Sequence, residues 1–256
     1  MFSLARNIQF SLIGHKYIRI SGDVYINSMS SSKFGLLKED YMISIKSSFS
    51  SALITEIRDR NTPEEKLRRR LYDLGRIMGE QIVGNELTNS FVVTTPMNFN
   101  YQGLRIMQDL TVIVSTRDDY EYFASGISSP FDGVIRGFMD FGGIRGSEAL
   151  TSPIRAIDLP EIKRGQYVKT LIIAKSVLAT GCTAIHLARK SIETYNPQRI
   201  IIASVFYSER GLSEVSLELP QSKIYVFGNP DELNEDGMLV PGVGNLDMRM
   251  NAGNMQ

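Results

Sequence analysis

Apolar and polar residues change their spacing several times along this chain, and each change marks an element. Residues 171–174 (LIIA) form a short apolar run with β-branched side chains. Small residues follow, Ala179, Thr180, Gly181, Cys182 and Thr183, and then apolar residues at helical spacing, Ile185, Ala188 and Ile192. That order predicts a strand, a tight loop and a helix. The apolar runs RIIIASVF (199–206) and KIYVF (223–227) read as strands buried on both faces. Residues 91–95 and 110–114 also read as strands, with residues 98–103 as a hairpin loop between them. Helical patterns alternate with the strands, so the fold class predicted is α/β, a mainly parallel sheet flanked by helices with ligands at the carboxyl ends of its strands.

Upstream, Thr62, Pro63 and Glu65 read as a capping-box start with proline at the first helical position. Leu67, Leu71, Leu74, Met78 and Ile82 then share one face, which leaves Arg68, Arg69 and Arg70 on the solvated side. Before residue 50, alternation at Ile8, Phe10, Leu12, Tyr17, Ile18, Ile20, Val24 and Ile26, with turns at Gly14 and Gly22, predicts a small β-meander. Residues 28–32 read as a serine loop, and residues 42–53 as a strand or the start of a helix. The chain is therefore divided into a β-rich N-terminal extension (1–50) and a main domain (51–256).

Composition narrows the class. The chain has 256 residues, enough for one large α/β domain with a sizeable core. Its 28 Lys and Arg balance 28 Asp and Glu, so net charge calls for neither nucleic acid nor an anionic membrane as partner. The single cysteine, Cys182, excludes an internal disulfide framework and leaves no cluster of thiols for a structural zinc, and no residue is assigned as a metal ligand. No apolar run is long enough to span a bilayer. The first residues, MFSLARNIQF, lack a continuous hydrophobic signal region, although Arg6, Lys16 and Arg19 ahead of Asp23 give a composition similar to an organellar transit peptide. The expectation is a cytoplasmic protein.

The loop at residues 178–183 carries the chemistry. A helix that starts there leaves its first N–H groups unpaired and aims them, with the positive end of the helix dipole, at the turn. Gly181 lets the backbone approach an anion closely, and the hydroxyls of Thr180 and Thr183 add donors. The same pattern also describes an ordinary βα connection capped by threonine.

The segment LATGCTA (178–184) resembles the 5′-phosphate loop LATGGSA of the uracil phosphoribosyltransferases. LNEDGMLVPGVGNLDMR (233–249) resembles their uracil-recognition segment, LNExGYIVPGLGDAGDR, and the RDRNT string within residues 53–78 is similar to the RDKNT-like start of those enzymes. The resemblance implies a phosphoribosyltransferase fold in which Leu178, Ala179, Thr180, Gly181, Cys182 and Thr183 bind phosphate. Arg117 would contact pyrophosphate, and the backbone of Leu239, Val240, Gly242 and Gly244 would bind the base. It further implies phosphoribosyl pyrophosphate (PRPP), a pyrimidine base or a nucleotide as small-molecule partners, Mg²⁺ accompanying PRPP, and a homodimer.

Several residues depart from the family pattern. Lys175 stands where an aspartate accepts hydrogen bonds from the ribose hydroxyls, and an ammonium accepts none. Lys175 could pair instead with a pyrophosphate oxygen, or with Asp118 or Asp119, which replace two small residues after Arg117. Those carboxylates read either as a charged strand-end turn or as ligands of a magnesium bridge. Asn245 replaces an aspartate, Asp247 lies close to a second one, Met238 replaces a tyrosine, and Glu209 and Gly211 are kept. Residues 126–151 are glycine-rich, and their Arg136 and Arg145 are either solvated or able to close on phosphate. His186 reads as packed or at the surface. Two functions follow: transfer of phosphoribosyl from PRPP to uracil, giving UMP and pyrophosphate, or a non-catalytic relative that binds a nucleotide or serves as a subunit.

Overall fold

The computed structural model describes residues 41–142, 148 and 153–251. The meander expected at residues 8–27, the serine loop at 28–32 and Arg145 lie outside the described residues. The elements in chain order are β1 (Met42–Ile45), α1 (Ser48–Arg58), α2 (Glu64–Glu86), β2 (Thr88–Thr94), β3 (Asn100–Ile106) and β4 (Thr111–Thr116). A helical stretch follows, α3 (Arg117–Asp119), a π turn (Tyr120–Ala124) and α4 (Ser125–Ser128). Then come β5 (Ile135–Asp140), β6 (Ala156–Asp158), β7 (Thr170–Ala174), β8 (Val177–Leu178), α5 (Cys182–Tyr195), β9 (Arg199–Ala203) and β10 (Phe206–Tyr207). The last elements among the described residues are α6 (Glu209–Glu218), β11 (Ser222–Phe227), β12 (Glu232–Leu233), β13 (Leu239–Val240) and α7 (Leu246–Met250).

Among the described residues, seven strands form the central sheet in the order β1-β11-β9-β7-β4-β5-β6, and every pairing between them is parallel except that of β6 with β5. The sheet reaches back across residue 51 to Met42, which pairs with Ile224. β7 lies at its centre, and all five of its residues are buried. Alternate side chains explain why: Ile172 and Ala174 join one core with Leu67, Leu71, Leu74, Met78 and Ile82 of α2, while Leu171 and Ile173 join the other with Ala184, Ile185 and Ala188 of α5. A strand covered on both faces has no polar positions to alternate, hence its unbroken apolar sequence.

Two local expectations are corrected. The region expected as a hairpin loop, residues 98–103, runs into β3, which pairs with β2 in a separate antiparallel ribbon, whereas β4 enters the central sheet. The ribbon is exposed over most of its length, so apolar alternation could not mark its two strands. At α2 the cap position is Pro63, with no side-chain cap; the Thr62 hydroxyl donates instead to the Glu56 carbonyl at 2.5 Å. α1 ends so close by that its carbonyls compete for that hydroxyl. Among the described residues no helix is long and apolar enough to cross a membrane.

Candidate active site

The carboxyl ends of β4, β5 and β7 open into a cleft of about 270 Å³, closed on its far side by the segment from Asp236 to Asp247. Its central wall is the loop between β8 and α5. Gly181, at φ 80°, caps α5 without a side-chain hydrogen bond, and the first bond of the helix runs from the Ile185 N–H to the Gly181 carbonyl. The N–H groups of Cys182, Thr183 and Ala184 therefore precede the helical ladder and remain for a ligand.

The loop is held from behind by α6. The Ser208 hydroxyl donates to the Ala179 carbonyl at 2.5 Å and accepts from the Gly211 N–H at 2.9 Å. The backbones then meet so closely that a Cβ on Gly211 would fall 2.5 Å from the Leu178 carbonyl oxygen, and one on Gly181 would fall 2.9 Å from that of Gly211. Glycine at both positions is thus a packing requirement.

The base of the cleft holds a buried ion pair. Lys175 Nζ donates to Asp119 Oδ2 at 2.6 Å, and that oxygen also accepts from the Thr116 hydroxyl at 3.0 Å and from the Ser176 N–H at 3.3 Å. Of the alternatives for Lys175, pairing with Asp119 is the one the structure contains. Burial works against the Lys175 ammonium, but the charges of Asp119 and Asp247 and the Asp119 hydrogen bond outweigh it and raise its pKa above the ordinary lysine value. The pKa of Asp118 is also raised, first by desolvation of its carboxyl and then by the charge of Asp247, with Lys175 opposing.

Of the residues expected at a site, Leu178, Ala179, Thr180, Gly181, Cys182, Thr183, Arg117, Lys175, Leu239, Gly244 and Asp247 line the cleft, as does Met238. Val240, Gly242 and Asn245 do not belong to its lining. Gly242 supplies its carbonyl to Arg58 at 2.8 Å, and the Asn245 side chain caps α7 by accepting from the Met248 N–H at 3.2 Å. Arg136 turns away to the Tyr120 carbonyl and ring. His186 packs edge-on against Phe141, with centroids 5.3 Å apart. The Arg117 guanidinium lies over the Phe138 ring at 4.5 Å.

Sequence reading missed Thr116, Asp140, Phe141, Val177, Asp236, Gly237 and Leu246, which also line the cleft. Asp140 and Phe141 stand at the carboxyl end of β5. Recognising β5 as a parallel neighbour of β4 would have marked them, because ligands in such sheets gather at strand ends.

The turn after β13 completes the cleft. Arg58 grips Asp231 through both carboxylate oxygens, at 2.8 and 2.9 Å, and reaches the Gly242 carbonyl with the same guanidinium. Arg249 donates to the carbonyls of Val243 and Ile57, at 2.9 and 2.8 Å, and to that of Asp59 at 2.7 Å. The turn after β13 is therefore fixed to the end of α1 by two arginines, and its peptide groups form one wall of the cleft.

A family model described as Uracil phosphoribosyltransferase matches residues 44–250. The uracil phosphoribosyltransferase of Natronomonas pharaonis is 26% identical over 202 residues, covering 77% of this chain and 89% of that protein. That of Sulfolobus acidocaldarius is 29% identical over 203 residues, covering 77% of this chain and 92% of that protein. Among solved structures, the AQ2163 protein from Aquifex aeolicus superposes with a TM-score of 0.68 at 25% identity, covering 82% of this chain and 98% of that one.

Proposed function

Because the chain belongs to the uracil phosphoribosyltransferase family, we propose that it transfers the phosphoribosyl group of PRPP to uracil, forming UMP and releasing pyrophosphate, as a pyrimidine-salvage enzyme of the cytoplasm. The observation that carries this reading is the cleft itself, in which a helix start with its first N–H groups outside the helical ladder and a rigid peptide turn face each other across a space of about 270 Å³. The N–H groups at the start of α5, with Thr180 and Thr183, hold the 5′-phosphate. Peptide groups around Leu239 and Gly244 meet the polar edge of the base, and Arg117 faces the pyrophosphate. These contacts fix the base nitrogen against the ribosyl carbon and stabilise the leaving group by charge, so positioning and electrostatics carry the rate.

Mg²⁺ belongs to this reading as the companion of PRPP. The chain's own donor set does not fit a resident ion: among the described residues no group of three or more His, Cys, Asp or Glu side chains is arranged to hold a metal. The Lys175 ammonium also sits within the carboxylates such an ion would need.

A homodimer fits the exposed ribbon. Val92, Met97, Phe99, Tyr101 and Leu104 on β2, β3 and their connection are each more than half exposed, an apolar surface suited to a second copy of the chain.

One feature favours a second reading, a nucleotide-binding relative without turnover: Lys175 offers ribose hydroxyls no acceptor. Conversion of labelled uracil to UMP in the presence of PRPP and Mg²⁺ separates the two. Turnover well above that of a Gly181→Asp variant supports transfer, and its absence with UMP still bound supports the second reading.

A further inference from the structure

Lys175 ends the strand segment that leads into the phosphate loop, and it lines the cleft. Its ammonium has three donors, of which, among the described residues, Asp119 takes one at 2.6 Å, so donors remain for an acceptor that enters. Asp119 is itself anchored by Thr116 and Ser176, which fixes the ammonium in place before any ligand arrives. Arg117, the other cation in the lining, begins α3 directly after β4, and β4 is paired with β7. Two fixed cations thus stand on adjacent strand ends beside the phosphate loop. The place where carboxylates could have gathered a hard divalent ion is already filled by an ammonium group.

We infer that Lys175, seated on Asp119, is the resident cation of this cleft and binds pyrophosphate directly, together with Arg117, so that no divalent ion is needed to bridge pyrophosphate to the protein. The inference rests on the phosphoribosyl-transfer reading and assigns its leaving-group contacts. It makes the carboxylate at residue 119 a positioning residue and the ammonium at residue 175 a ligand of the anion. A charged donor offsets part of the negative charge of the oxygen it bonds, which is work a bridging metal would otherwise do.

The test is calorimetric titration of inorganic pyrophosphate into the full chain, once with Mg²⁺ and once with EDTA, with UMP titrated in parallel. The affinity for pyrophosphate is expected to agree within about threefold between the two buffers. It is expected to fall at least about tenfold when Lys175→Gln is combined with Asp119→Asn, since a charged hydrogen bond is lost while a neutral pair remains. Lys175→Arg, which keeps the charge, should retain binding in EDTA. Pyrophosphate binding that requires Mg²⁺, or that survives the double substitution unchanged, overturns the inference. So does an absence of binding in both buffers; if UMP still binds in that case, the phosphate-loop reading stands, and if UMP also fails, both fall.

Discussion

The ammonium of Lys175 and the carboxylate of Asp119 lie 2.6 Å apart and join the strand end before the loop at residues 178–183 to the first turn after β4. Both stand where the sequence resemblance implies other residues, and in the fold they complement each other. The Asp119 side chain is fully buried and that of Lys175 is 14% exposed, so loss of either partner strands a charge. Asp119→Ala is expected to destabilise the fold by about 3 kcal/mol, whereas Asp119→Leu with Lys175→Met should be close to neutral. Urea unfolding of both variants measures the difference.

The same pair sets a dependence on alkaline pH. A lysine whose folded pKa is raised holds its proton more tightly in the native state. Its contribution is complete below the unfolded value of 10.5 and is lost as pH rises through the higher folded value. Thermal melts should therefore show stability falling as pH rises above 10.5, and this loss should be smaller in the Asp119→Leu, Lys175→Met protein.

The loop depends on glycine at two touching positions. Gly181→Ala places a side chain at φ 80° and 2.9 Å from the Gly211 carbonyl oxygen, and is expected to cost about 1–3 kcal/mol in urea unfolding. UMP affinity should fall with it, because any relief of the contact moves the N–H groups at the start of α5.

Much of this arrangement was legible in the sequence, for identifiable reasons. The stripe on α2 and the strand-loop-helix around Gly181 were readable because period and burial agree there: Leu67, Leu71, Leu74, Met78 and Ile82 are all buried, as is every residue of β7. β3 was not readable, because a ribbon with neither face covered has no burial pattern to write into sequence. Asp140 and Asp236 reach the cleft through strand order and a turn, and taken singly they look like any polar loop residue. Thr62 shows a local motif losing to a competitor, since the carbonyl that takes its hydroxyl belongs to a different helix.

The arginine clamp on the turn after β13 gives a prediction about affinity. Arg58→Met removes two bonds to Asp231 and one to the Gly242 carbonyl, and leaves Asp231 buried without that partner. A stability loss of about 2 kcal/mol is expected, with a higher KM for uracil than for PRPP relative to the native chain. Steady-state kinetics with each substrate varied in turn will show whether the loss falls on the base.

The apolar ribbon predicts association. Phe99→Glu with Leu104→Glu places charges on its exposed face, so sedimentation should change from dimer to monomer at micromolar concentration while the melting temperature of the core is retained. A native chain that sediments as a monomer removes the proposed dimer.

The central claim is that a 5′-phosphate sits on the loop of Leu178, Ala179, Thr180, Gly181, Cys182 and Thr183, and calorimetric titration of UMP tests it most directly. The account predicts saturable binding to the native chain, weakened at least about tenfold when Thr180→Val is combined with Thr183→Ala, because each lost hydroxyl removes a hydrogen bond to a charged oxygen. Absence of binding, or binding that the two substitutions leave unchanged, would contradict it.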